Sequence, residues 1–319
     1  MTILITGSAG FIGYHLSKGL LEKKNTVLGL DDLNNYYCVK LKKKRLSILK
    51  KYNNFFFFKQ NINNEKKLKN IFEKFRPKIV INLAAYAGVR HSLLYPEDYI
   101  QTNIVGFHNI INLCKRFSVK HLIYASSSSV YGDIKKKIFS EKDNANSPVS
   151  LYGATKLSNE LISCSYSKIF KIKTTGLRFF TVYGPLGRPD MALYLFADAI
   201  SKNKNIKVYN YGKMSRDFTY VEDVVNAIIK IIEKENVKRN FHEVYNIGYG
   251  KKVPLMKFVK EIEKNLKRKA KIKYFPMQKG DVISSNANIN KILKDYKFKP
   301  QFNYKYGISK FIEWLKNYK

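Results

Sequence analysis

The chain contains few cysteines and no apolar run long enough to span a membrane. Its 319 residues include three cysteines, Cys38, Cys114 and Cys164, which follow neither a Cys-x-x-Cys pattern nor the spacing of metal ligands. Nowhere do about 18 apolar residues follow one another, and no leader with a basic and then an apolar region precedes the first strand-like segment. We therefore expect a cytoplasmic protein without a membrane span or a metal site, because free cysteines persist in reducing compartments.

Acidic residues and arginines are scarce beside lysine. The chain has 24 acidic and 59 basic residues, only nine of them arginines, and a formal charge of +35. Such a charge raises nucleic acid or an anionic membrane surface as a partner. The lysines are spread along the chain, however, and recognition of phosphates and bases favours the planar guanidinium group of arginine. We therefore expect a solvated basic surface and no nucleic-acid partner, with a polyanion site as the alternative.

Strand-like and helix-like segments alternate from the start of the chain. Apolar residues make up 45% of the sequence, enough for a large core, and neither a repeat nor a flexible linker is visible. The alternation predicts an α/β fold, a Rossmann-type doubly wound parallel sheet with a smaller C-terminal substrate-binding α/β domain. The predicted strands are 2–6, 26–30, 55–58, 79–83, 121–125, 173–177 and 244–247, with a helix at 221–234.

The same pattern predicts domain boundaries and a buried strand. The turn-rich stretch 184–189 ends the first domain, so residues 1–184 are predicted to bind the cofactor and 215–248 to return to this domain. Residues 185–214 and 249–319 are predicted to form the substrate-binding domain. The four consecutive phenylalanines at 55–58 are predicted to be a core strand buried on both faces.

A glycine-rich loop follows the first predicted strand. Its sequence, Gly7-Ser8-Ala9-Gly10-Phe11-Ile12-Gly13, opens an apolar-periodic helix predicted to end near Lys24. Glycines let a backbone approach a pyrophosphate, whose charge the free N–H groups of the helix start can bind. Asp31 follows 18 residues after Gly13, at the end of the second predicted strand. A carboxylate there accepts hydrogen bonds from the adenosine ribose and repels a 2′-phosphate, so the spacing predicts NAD rather than NADP, and the adjacent Asp32 strengthens this prediction.

A tyrosine and a lysine four residues apart form the candidate catalytic pair. Tyr152 and Lys156 occur in Tyr-Gly-Ala-Thr-Lys, so a helix would place both on one face. A neighbouring ammonium favours the phenolate and so lowers the pKa of a tyrosine toward neutrality, which makes it a usable general base. Upstream, four serines at 126–129 follow the strand predicted at 121–125. Hydroxyls at that strand end enter the crevice where open α/β sheets bind ligands.

Together these motifs resemble the extended short-chain dehydrogenase/reductase family over nearly the whole chain. The resemblance implies that Ser127 is the catalytic hydroxyl, Tyr152 the base, and Lys156 its activator and a ligand of the nicotinamide ribose. It also implies a homodimer. The cofactor residues that it implies are Gly7, Gly10, Phe11, Ile12, Gly13, Asp31, Asn61, Ile62, Ala84, Ala85, Asn103, Tyr152 and Lys156. Asn61-Ile62 departs from the Asp-Ile of relatives, although an amide oxygen can still accept a hydrogen bond from the adenine amino group.

Within this family, the later segments resemble NAD-dependent 4-epimerases of UDP-sugars, with UDP-glucuronate as the favoured substrate. Ser128 and Ser129 stand where dehydratases and decarboxylases carry an acid, which implies simple epimerisation. The segments Arg178-Phe179-Phe180-Thr181-Val182-Tyr183-Gly184-Pro185-Leu186-Gly187-Arg188-Pro189-Asp190-Met191-Ala192 and Ala87-Gly88-Val89-Arg90-His91-Ser92 carry this likeness. The substrate residues that it implies are Arg90, Ser127, Ser128, Ser129, Tyr152, Thr181, Arg188, Arg216 and Asp281.

Three of these residues have particular implied roles. Thr181 replaces the asparagine that is commoner in epimerases of neutral sugars, and Arg188 offers a bidentate fork for a carboxylate, with a surface ion pair to Asp190 as the alternative. Arg216 lies in a segment similar to the family's diphosphate site, and Asp281 in a turn similar to its uridine contact.

The resemblance implies hydride transfer from C4 to NAD, rotation of the 4-keto sugar, and return of hydride to the opposite face. The alternatives are a 4-epimerase of UDP-glucose or UDP-N-acetylglucosamine, and a non-catalytic NAD-binding or polyanion-binding protein. A Ser/His/Asp hydrolase lacks support, because no nucleophile-elbow sequence is present.

Overall fold

Twelve strands and a similar number of helices make up the described part of the chain. The computed structural model describes residues 1–234 and 241–318; residues 235–240, which belong to the predicted segment 215–248, and residue 319 lie outside the described part. The strands are β1 (Thr2–Thr6), β2 (Thr26–Asp31), β3 (Phe55–Lys59), β4 (Ile79–Asn82), β5 (His121–Ser127), β6 (Thr174–Phe179), β7 (Thr181–Tyr183), β8 (Asn205–Val208), β9 (Ser215–Tyr220), β10 (His242–Ile247), β11 (Lys252–Pro254) and β12 (Lys271–Tyr274).

Seven of these strands form one parallel sheet in the order β10-β6-β5-β4-β1-β2-β3. From β1 the chain proceeds outward to β3 on one side, and from β4 it proceeds outward to β6 on the other. The direction therefore reverses between β1 and β4, and open α/β sheets bind ligands at the carboxyl ends beside such a reversal. This order confirms the predicted Rossmann-type doubly wound sheet, with each of its predicted strands present and β6 beginning at Thr174.

Helices cover both faces of the sheet, because alternate strand residues point to opposite sides. Ile3 and Ile5 pack in one apolar cluster with α1 (Phe11–Glu22) and α9 (Val221–Glu233), and Leu4 packs in a second cluster with α3 (Glu65–Phe75) and α6 (Phe107–Arg116). No helix of residues 1–234 and 241–318 is long and apolar enough to cross a membrane. The helices are α1 (Phe11–Glu22), α2 (Val39–Leu49), α3 (Glu65–Phe75), α4 (Val89–Leu94), α5 (Pro96–Tyr99), a π-helical turn (Ile100–Gly106), α6 (Phe107–Arg116), a 3-10 turn (Ser128–Tyr131), α7 (Leu151–Phe170), α8 (Ala192–Ser201), a 3-10 turn (Asn210–Gly212), α9 (Val221–Glu233), α10 (Leu255–Leu266), α11 (Asn290–Tyr296) and α12 (Tyr304–Tyr318).

β3 is an edge strand, so the prediction that it is buried on both faces was wrong. Phe55 is buried, but Phe56 is 44% exposed, and Phe57 and Phe58 are half-buried. β3 pairs with β2 on one side and ends the sheet on the other. A run of phenylalanines suits a central and an edge strand equally, so composition could not reveal the position of the strand.

The remaining strands build two smaller sheets. β7 follows directly after β6 and joins a three-stranded sheet in the order β11-β9-β7, while β8 pairs with β12. α8, α10 and α12 bury a separate core around them, in which the rings of Phe218 and Phe258 stack with centroids 3.8 Å apart. Within the predicted segment 215–248, β9 lies in a small sheet, whereas α9 packs in the core of the large sheet and β10 forms the edge of that sheet.

Candidate active site

A cavity of about 690 Å³ opens at the carboxyl ends of the central strands. Its wall begins at the glycine loop, passes the loops that follow β4 and β5, and reaches Arg216 and Asp281 beside the small sheets. All predicted site residues except Asn103 lie on this wall. They are Gly7, Gly10, Phe11, Ile12, Gly13, Asp31, Asn61, Ile62, Ala84, Ala85, Arg90, Ser127, Ser128, Ser129, Tyr152, Lys156, Thr181, Arg188, Arg216 and Asp281.

The glycine loop is a tight turn between β1 and α1. Gly7 has φ +73°, and its N–H donates to the Leu30 carbonyl of β2 at 2.7 Å. A Cβ on Gly13 would lie 2.0 Å from the carbonyl oxygen of Gly7, so the helix can begin this close to the loop only without a side chain there. The turn brings the N–H groups at the start of α1 to the cavity, which suits a pyrophosphate.

Asp31 and Asp32 lie beside this loop at the end of β2. Asp31 is 5% exposed, and its carboxylate accepts hydrogen bonds from the N–H groups of Ala9 at 3.1 Å and Leu33 at 2.9 Å. Burial raises the pKa of Asp31, and these two hydrogen bonds oppose the rise. A glycine cradle next to a pair of carboxylates fits NAD, whose ribose carries no phosphate.

Two predicted cofactor residues, Asn61 and Asn103, are engaged by the protein itself. Asn61 lines the cavity, where its amide donates to Asp32 at 3.1 Å. Asn103, in the π-helical turn, accepts from the N–H of Tyr86 at 2.9 Å and donates to the carbonyl of Tyr86 at 3.0 Å and the hydroxyl of Thr155 at 3.1 Å. Asn103 therefore lies behind the wall and supports the loop after β4, because its amide bonds to that loop and to α7; its contact with the cofactor stays a prediction.

The candidate catalytic groups meet where β5 ends and α7 begins. The hydroxyl of Ser127, the last residue of β5, accepts from the N–H of Ser129 at 3.1 Å. Tyr152 lies in the first turn of α7, which Ser150 caps by accepting a hydrogen bond from Gly153. The same hydroxyl of Ser127 donates to Oγ of Ser129 at 3.2 Å, and its interaction with the phenol of Tyr152 lowers the pKa of that phenol. Lys156 follows one turn later and is 2% exposed.

The pKa of Tyr152 is raised, and not lowered as the sequence predicted. Burial of the phenol is the largest cause, and the hydrogen bond from Ser127 and the positive charge of Arg188 oppose it. In the described part of the chain, Lys156 is not among the groups that perturb Tyr152, and burial lowers the pKa of Lys156 itself to about 8. The i, i+4 spacing fixes a shared helix face but not the distance between phenol oxygen and ammonium. Ser127 and Arg188 are therefore the protein groups that make this phenol more acidic.

A buried ion pair holds α7 against the strands that carry the serines. Glu160 lies two turns after Tyr152, and its carboxylate accepts from Nε of Arg178 at 2.9 Å and from Nη2 at 2.7 Å. The same carboxylate accepts from the hydroxyl of Ser126 at 2.5 Å. Arg178 lies on β6 and Ser126 on β5, so one carboxylate connects α7 with both strands.

The predicted diphosphate and uridine residues pair with each other at the far end of the cavity. Nη2 of Arg216 donates to the carboxylate of Asp281 at 2.7 Å, and Nη1 donates to the carbonyl of Ile283 at 3.1 Å. Arg90 is exposed, with its guanidinium 5.8 Å from the ring centroid of Tyr209. The guanidinium groups of Arg90 and Arg216 thus both lie at this end of the cavity, although Arg216 is paired with Asp281. Two such groups suit an anionic ligand.

Arg188 lies on the wall, but Asp190 occupies one edge of its guanidinium. Nε donates to Asp190 at 3.0 Å and Nη2 at 2.5 Å. The ion pair named as the alternative is thus present, although the side chain of Arg188 is only 18% exposed and the pair is not a surface pair. The predicted fork for a ligand carboxylate is therefore already used along that edge. Among the described residues, Nη1 makes no hydrogen bond.

Sequence reasoning missed an aromatic cluster and two buried cations beside the cavity. The imidazole of His91 stacks on Tyr95 at 4.5 Å and meets Tyr36 edge-on at 4.4 Å. Lys42 and Arg45 on α2 are 5% and 0% exposed. Their spacing of three residues places both on one face of α2 and was the available signal in the sequence. The other basic residues of this helix made that pair impossible to distinguish.

Fold and site together define a dinucleotide-dependent enzyme, because the glycine loop of a doubly wound sheet shares one cavity with the serine and tyrosine side chains of Ser127 and Tyr152. Among residues 1–234 and 241–318 there is no group of three or more His, Cys, Asp or Glu side chains that could hold a metal ion.

Comparison with known proteins agrees with this class. A family model described as the NAD dependent epimerase/dehydratase family matches residues 3–248, and the chain belongs to this family. The chain is 46% identical over 332 aligned residues to Protein CapI of Staphylococcus aureus, covering 100% of this chain and 99% of that protein. It is 42% identical over 335 aligned residues to a probable UDP-glucuronate 4-epimerase of Rhizobium meliloti, covering 100% and 98%.

A solved structure agrees over the whole chain. The structure of UDP-glucuronic acid 4-epimerase from Bacillus cereus in complex with UDP-glucuronic acid and NAD superposes with a TM-score of 0.94, at 31% identity and 100% coverage of both chains. The family resemblance drawn from the motifs is therefore confirmed.

Proposed function

We propose that this protein catalyses the NAD-dependent 4-epimerisation of a UDP-sugar, converting UDP-glucuronate to UDP-galacturonate. The family, the Rhizobium meliloti relative and the Bacillus cereus structure support this activity. The observation that carries the choice of sugar is that Arg188 and Thr181 line the same cavity as the candidate base Tyr152, so a guanidinium is available to a substrate carboxylate there. The test is NMR identification of the products that the purified protein forms from UDP-glucuronate.

In the proposed mechanism, Tyr152 is the general base for the sugar 4-hydroxyl. NAD, when bound, supplies the acceptor and later the donor of the C4 hydride. Ser127 hydrogen-bonds the phenol and is placed to orient the same sugar hydroxyl, and Lys156 stays buried one turn away as a ligand for the nicotinamide ribose. After the 4-keto sugar has rotated about its bond to the diphosphate, Tyr152 returns the proton to the C4 oxygen.

A uronic acid creates a particular hazard in this mechanism. Its 4-keto intermediate is a β-keto acid, which loses CO₂ readily when the bond to the carboxylate is aligned with the carbonyl π system. Arg188 and Thr181 are proposed to hold the carboxylate out of that alignment. Ser128 and Ser129 provide neutral hydroxyls in place of an acid that would promote further proton chemistry.

Replacing Arg188 with alanine is expected to lower the turnover of UDP-glucuronate by about tenfold to 100-fold, since a charge-assisted hydrogen bond to the carboxylate is lost. It is also expected to release a decarboxylated UDP-pentose, measured by mass spectrometry of the products. Arg268→Ala is the matched control, because Arg268 is exposed and donates to the Ser201 carbonyl away from the cavity. Unchanged kinetics in Arg188→Ala would remove the assignment of the acidic sugar.

A 4-epimerase of neutral UDP-sugars is the second candidate. Asp190 already occupies the bidentate edge of Arg188, which favours a substrate that brings no carboxylate of its own. Parallel assays with UDP-glucose, UDP-N-acetylglucosamine and UDP-glucuronate separate the two candidates by their kcat/KM values.

We also propose that the protein is a homodimer that pairs through α7 and the π-helical turn. Leu161 and Ile169 of α7 are each 65% exposed, and Ile100 and Val105 of the turn are 38% and 40% exposed. A surface with several exposed aliphatic side chains on neighbouring helices is typical of an interface between copies of a chain.

Leu161→Glu is expected to give a monomer, because burying a carboxylate in an apolar interface is unfavourable. Light scattering coupled to size-exclusion chromatography measures the mass. Leu195→Glu on α8 is the control, since Leu195 is 50% exposed on another part of the surface. A Leu161→Glu protein with the mass of the wild type would contradict this interface.

The domain boundaries and the location of the protein are further proposals. α9 and β10 support a cofactor domain of residues 1–184 with the segment 215–248, and the core around Phe258 supports a substrate domain of 185–214 and 249–319. A cytoplasmic location is supported by the free thiols of Cys38, Cys114 and Cys164.

A further inference from the structure

The loop after β2 connects the cofactor end of the cavity with Arg188. Tyr36 follows the ribose carboxylates Asp31 and Asp32 by a few residues, and its hydroxyl accepts a hydrogen bond from Nη2 of Arg188 at 3.0 Å. The same hydroxyl donates to the carbonyl of Ala87 in the loop after β4. Nη2 of Arg188 donates to that carbonyl as well, at 3.0 Å. Tyr36, Ala87 and Arg188 thus form a closed triangle of hydrogen bonds, called here the guanidinium dock.

A further hydrogen bond and a close backbone approach hold the dock on the side of the β4 loop. The hydroxyl of Tyr99 donates to the carbonyl of Gly88 at 2.8 Å and so fixes the residue after Ala87. Gly88 has φ +126°, and a Cβ on it would lie 2.9 Å from the hydroxyl oxygen of Tyr36. Glycine at this position therefore lets the backbone approach the Tyr36 hydroxyl closely.

The backbone that leads to Arg188 is held by hydrogen bonds as well. Arg45 of α2 is fully buried and donates to the carbonyl of Leu186 at 2.6 Å and to that of Gly187 at 3.3 Å. Its Nη1 also donates to the carbonyl of Ala9 in the glycine loop at 3.0 Å. With this backbone held, the direction of the Arg188 side chain is set by its own contacts, which are Asp190 and the dock.

We propose that Tyr36 is a positioning residue that keeps the guanidinium of Arg188 in the cavity, where this guanidinium restrains the carboxylate of a uronic acid. This inference rests on the proposed epimerase function. Asp190 alone cannot set the position of the guanidinium, because it is 40% exposed and lies two residues from Arg188 on the same segment. The dock, in contrast, ties the guanidinium to a different loop of the large sheet.

Loss of the dock has a defined chemical consequence. If the carboxylate of the 4-keto sugar aligns with the carbonyl, the C5–C6 bond breaks and its electron pair moves to C5 as an enolate of the 4-ketone. CO₂ leaves, and C5 then takes a proton from water. The two electrons removed at C4 stay with the cofactor, so the product is a UDP-4-ketopentose and an equal amount of NADH. The fraction of this product therefore reports the position of the guanidinium.

Tyr36→Phe tests the proposal, because it removes the hydroxyl and keeps the ring. Tyr95→Phe is the matched control, since Tyr95 belongs to the same aromatic cluster but is 52% exposed, and no hydrogen bond of its hydroxyl is found in the described part of the chain. Each purified protein is incubated with NAD and UDP-glucuronate. Epimer and ketopentose are quantified by NMR and mass spectrometry, NADH by absorbance, and kcat is measured as a function of pH.

Tyr36→Phe is expected to raise the ratio of ketopentose to epimer by about tenfold, the effect of losing one hydrogen bond to a charged group. The acidic limb of its kcat profile is expected to move to higher pH, because Arg188 lowers the pKa of Tyr152 and a displaced guanidinium does so less. Tyr95→Phe is expected to match the wild type in both.

The outcomes separate the two proposals. If the wild type forms UDP-galacturonate and Tyr36→Phe shows the ratio and pH profile of Tyr95→Phe, the role of Tyr36 is overturned and the epimerase function stands. If the wild type forms no epimer from UDP-glucuronate, both are overturned. A thermal melt and NAD titration of each variant show that the fold and cofactor site are intact, so an altered ratio is assigned to the dock.

Discussion

Tyr152→Phe is expected to lower kcat on UDP-glucuronate by about 10²- to 10⁴-fold, the usual contribution of a positioned general base. The phenyl ring keeps the shape of the buried side chain, and the missing hydroxyl leaves no group at that position to take the proton of the sugar alcohol. Affinity for NAD is expected to stay close to that of the wild type, because the glycine loop and Asp31 do not change. Single-turnover reduction of NAD, followed by absorbance, measures the chemical step directly.

The control for this result is again Tyr95→Phe. Tyr95 is exposed and directly follows the last residue of α4, so this change removes a hydroxyl at the protein surface. Its kcat should equal that of the wild type. Appreciable turnover in Tyr152→Phe would refute the assignment of the base, whatever sugar the protein uses. The raised pKa of Tyr152 in the free protein also predicts that the rate increases as pH rises, since the base must lose its proton before it can act.

Gly13→Ala is expected to weaken NAD binding by about tenfold to 100-fold, on the scale of overpacking at a tightly packed position. The new Cβ would lie 2.0 Å from the carbonyl oxygen of Gly7 and 3.1 Å from the Cα of Ser8. Both contacts are backbone atoms that cannot rotate away, so the loop must open or α1 must move. Isothermal titration with NAD measures the loss.

Gly19→Ala provides the control for the loop, because it makes the same substitution in the same helix. Its Cβ would meet only side-chain atoms of Val225 at 3.2 Å and Ile229 at 3.4 Å, which can adjust. Its affinity for NAD should equal that of the wild type. Equal affinity in Gly13→Ala would mean that the loop does not bind the pyrophosphate.

The sequence predicts the sheet well because each strand has a strong local pattern. β1, β2 and β4 are short apolar runs bounded by helices, and the glycine loop and Asp31 lie at fixed distances along one β-α-β unit. The failure at β3 has a physical reason. Whether Phe56 is buried depends on the number of neighbours that the strand has in space, which no local pattern encodes.

The site was predicted less completely, because side chains compete for partners that are distant in sequence. Lys156 and Tyr152 share a helix face as predicted, yet the pKa of Tyr152 responds to Arg188, which comes from another segment. Asn103 was assigned to the cofactor, but Tyr86 and Thr155 use its amide. Tyr36 carries no motif of its own, and its contact with Arg188 spans 152 positions of the chain.

The carboxylate of Glu160, which binds both Arg178 and Ser126, restricts the substitutions that these positions tolerate. Removing either Glu160 or Arg178 alone would leave a lone charge in the interior, at a cost of about 3–5 kcal/mol. An apolar replacement of both together would be far less harmful, because no unmatched ion remains. We therefore expect that homologues which differ at position 160 also differ at position 178, and that homologues with only one of the two residues replaced are rare.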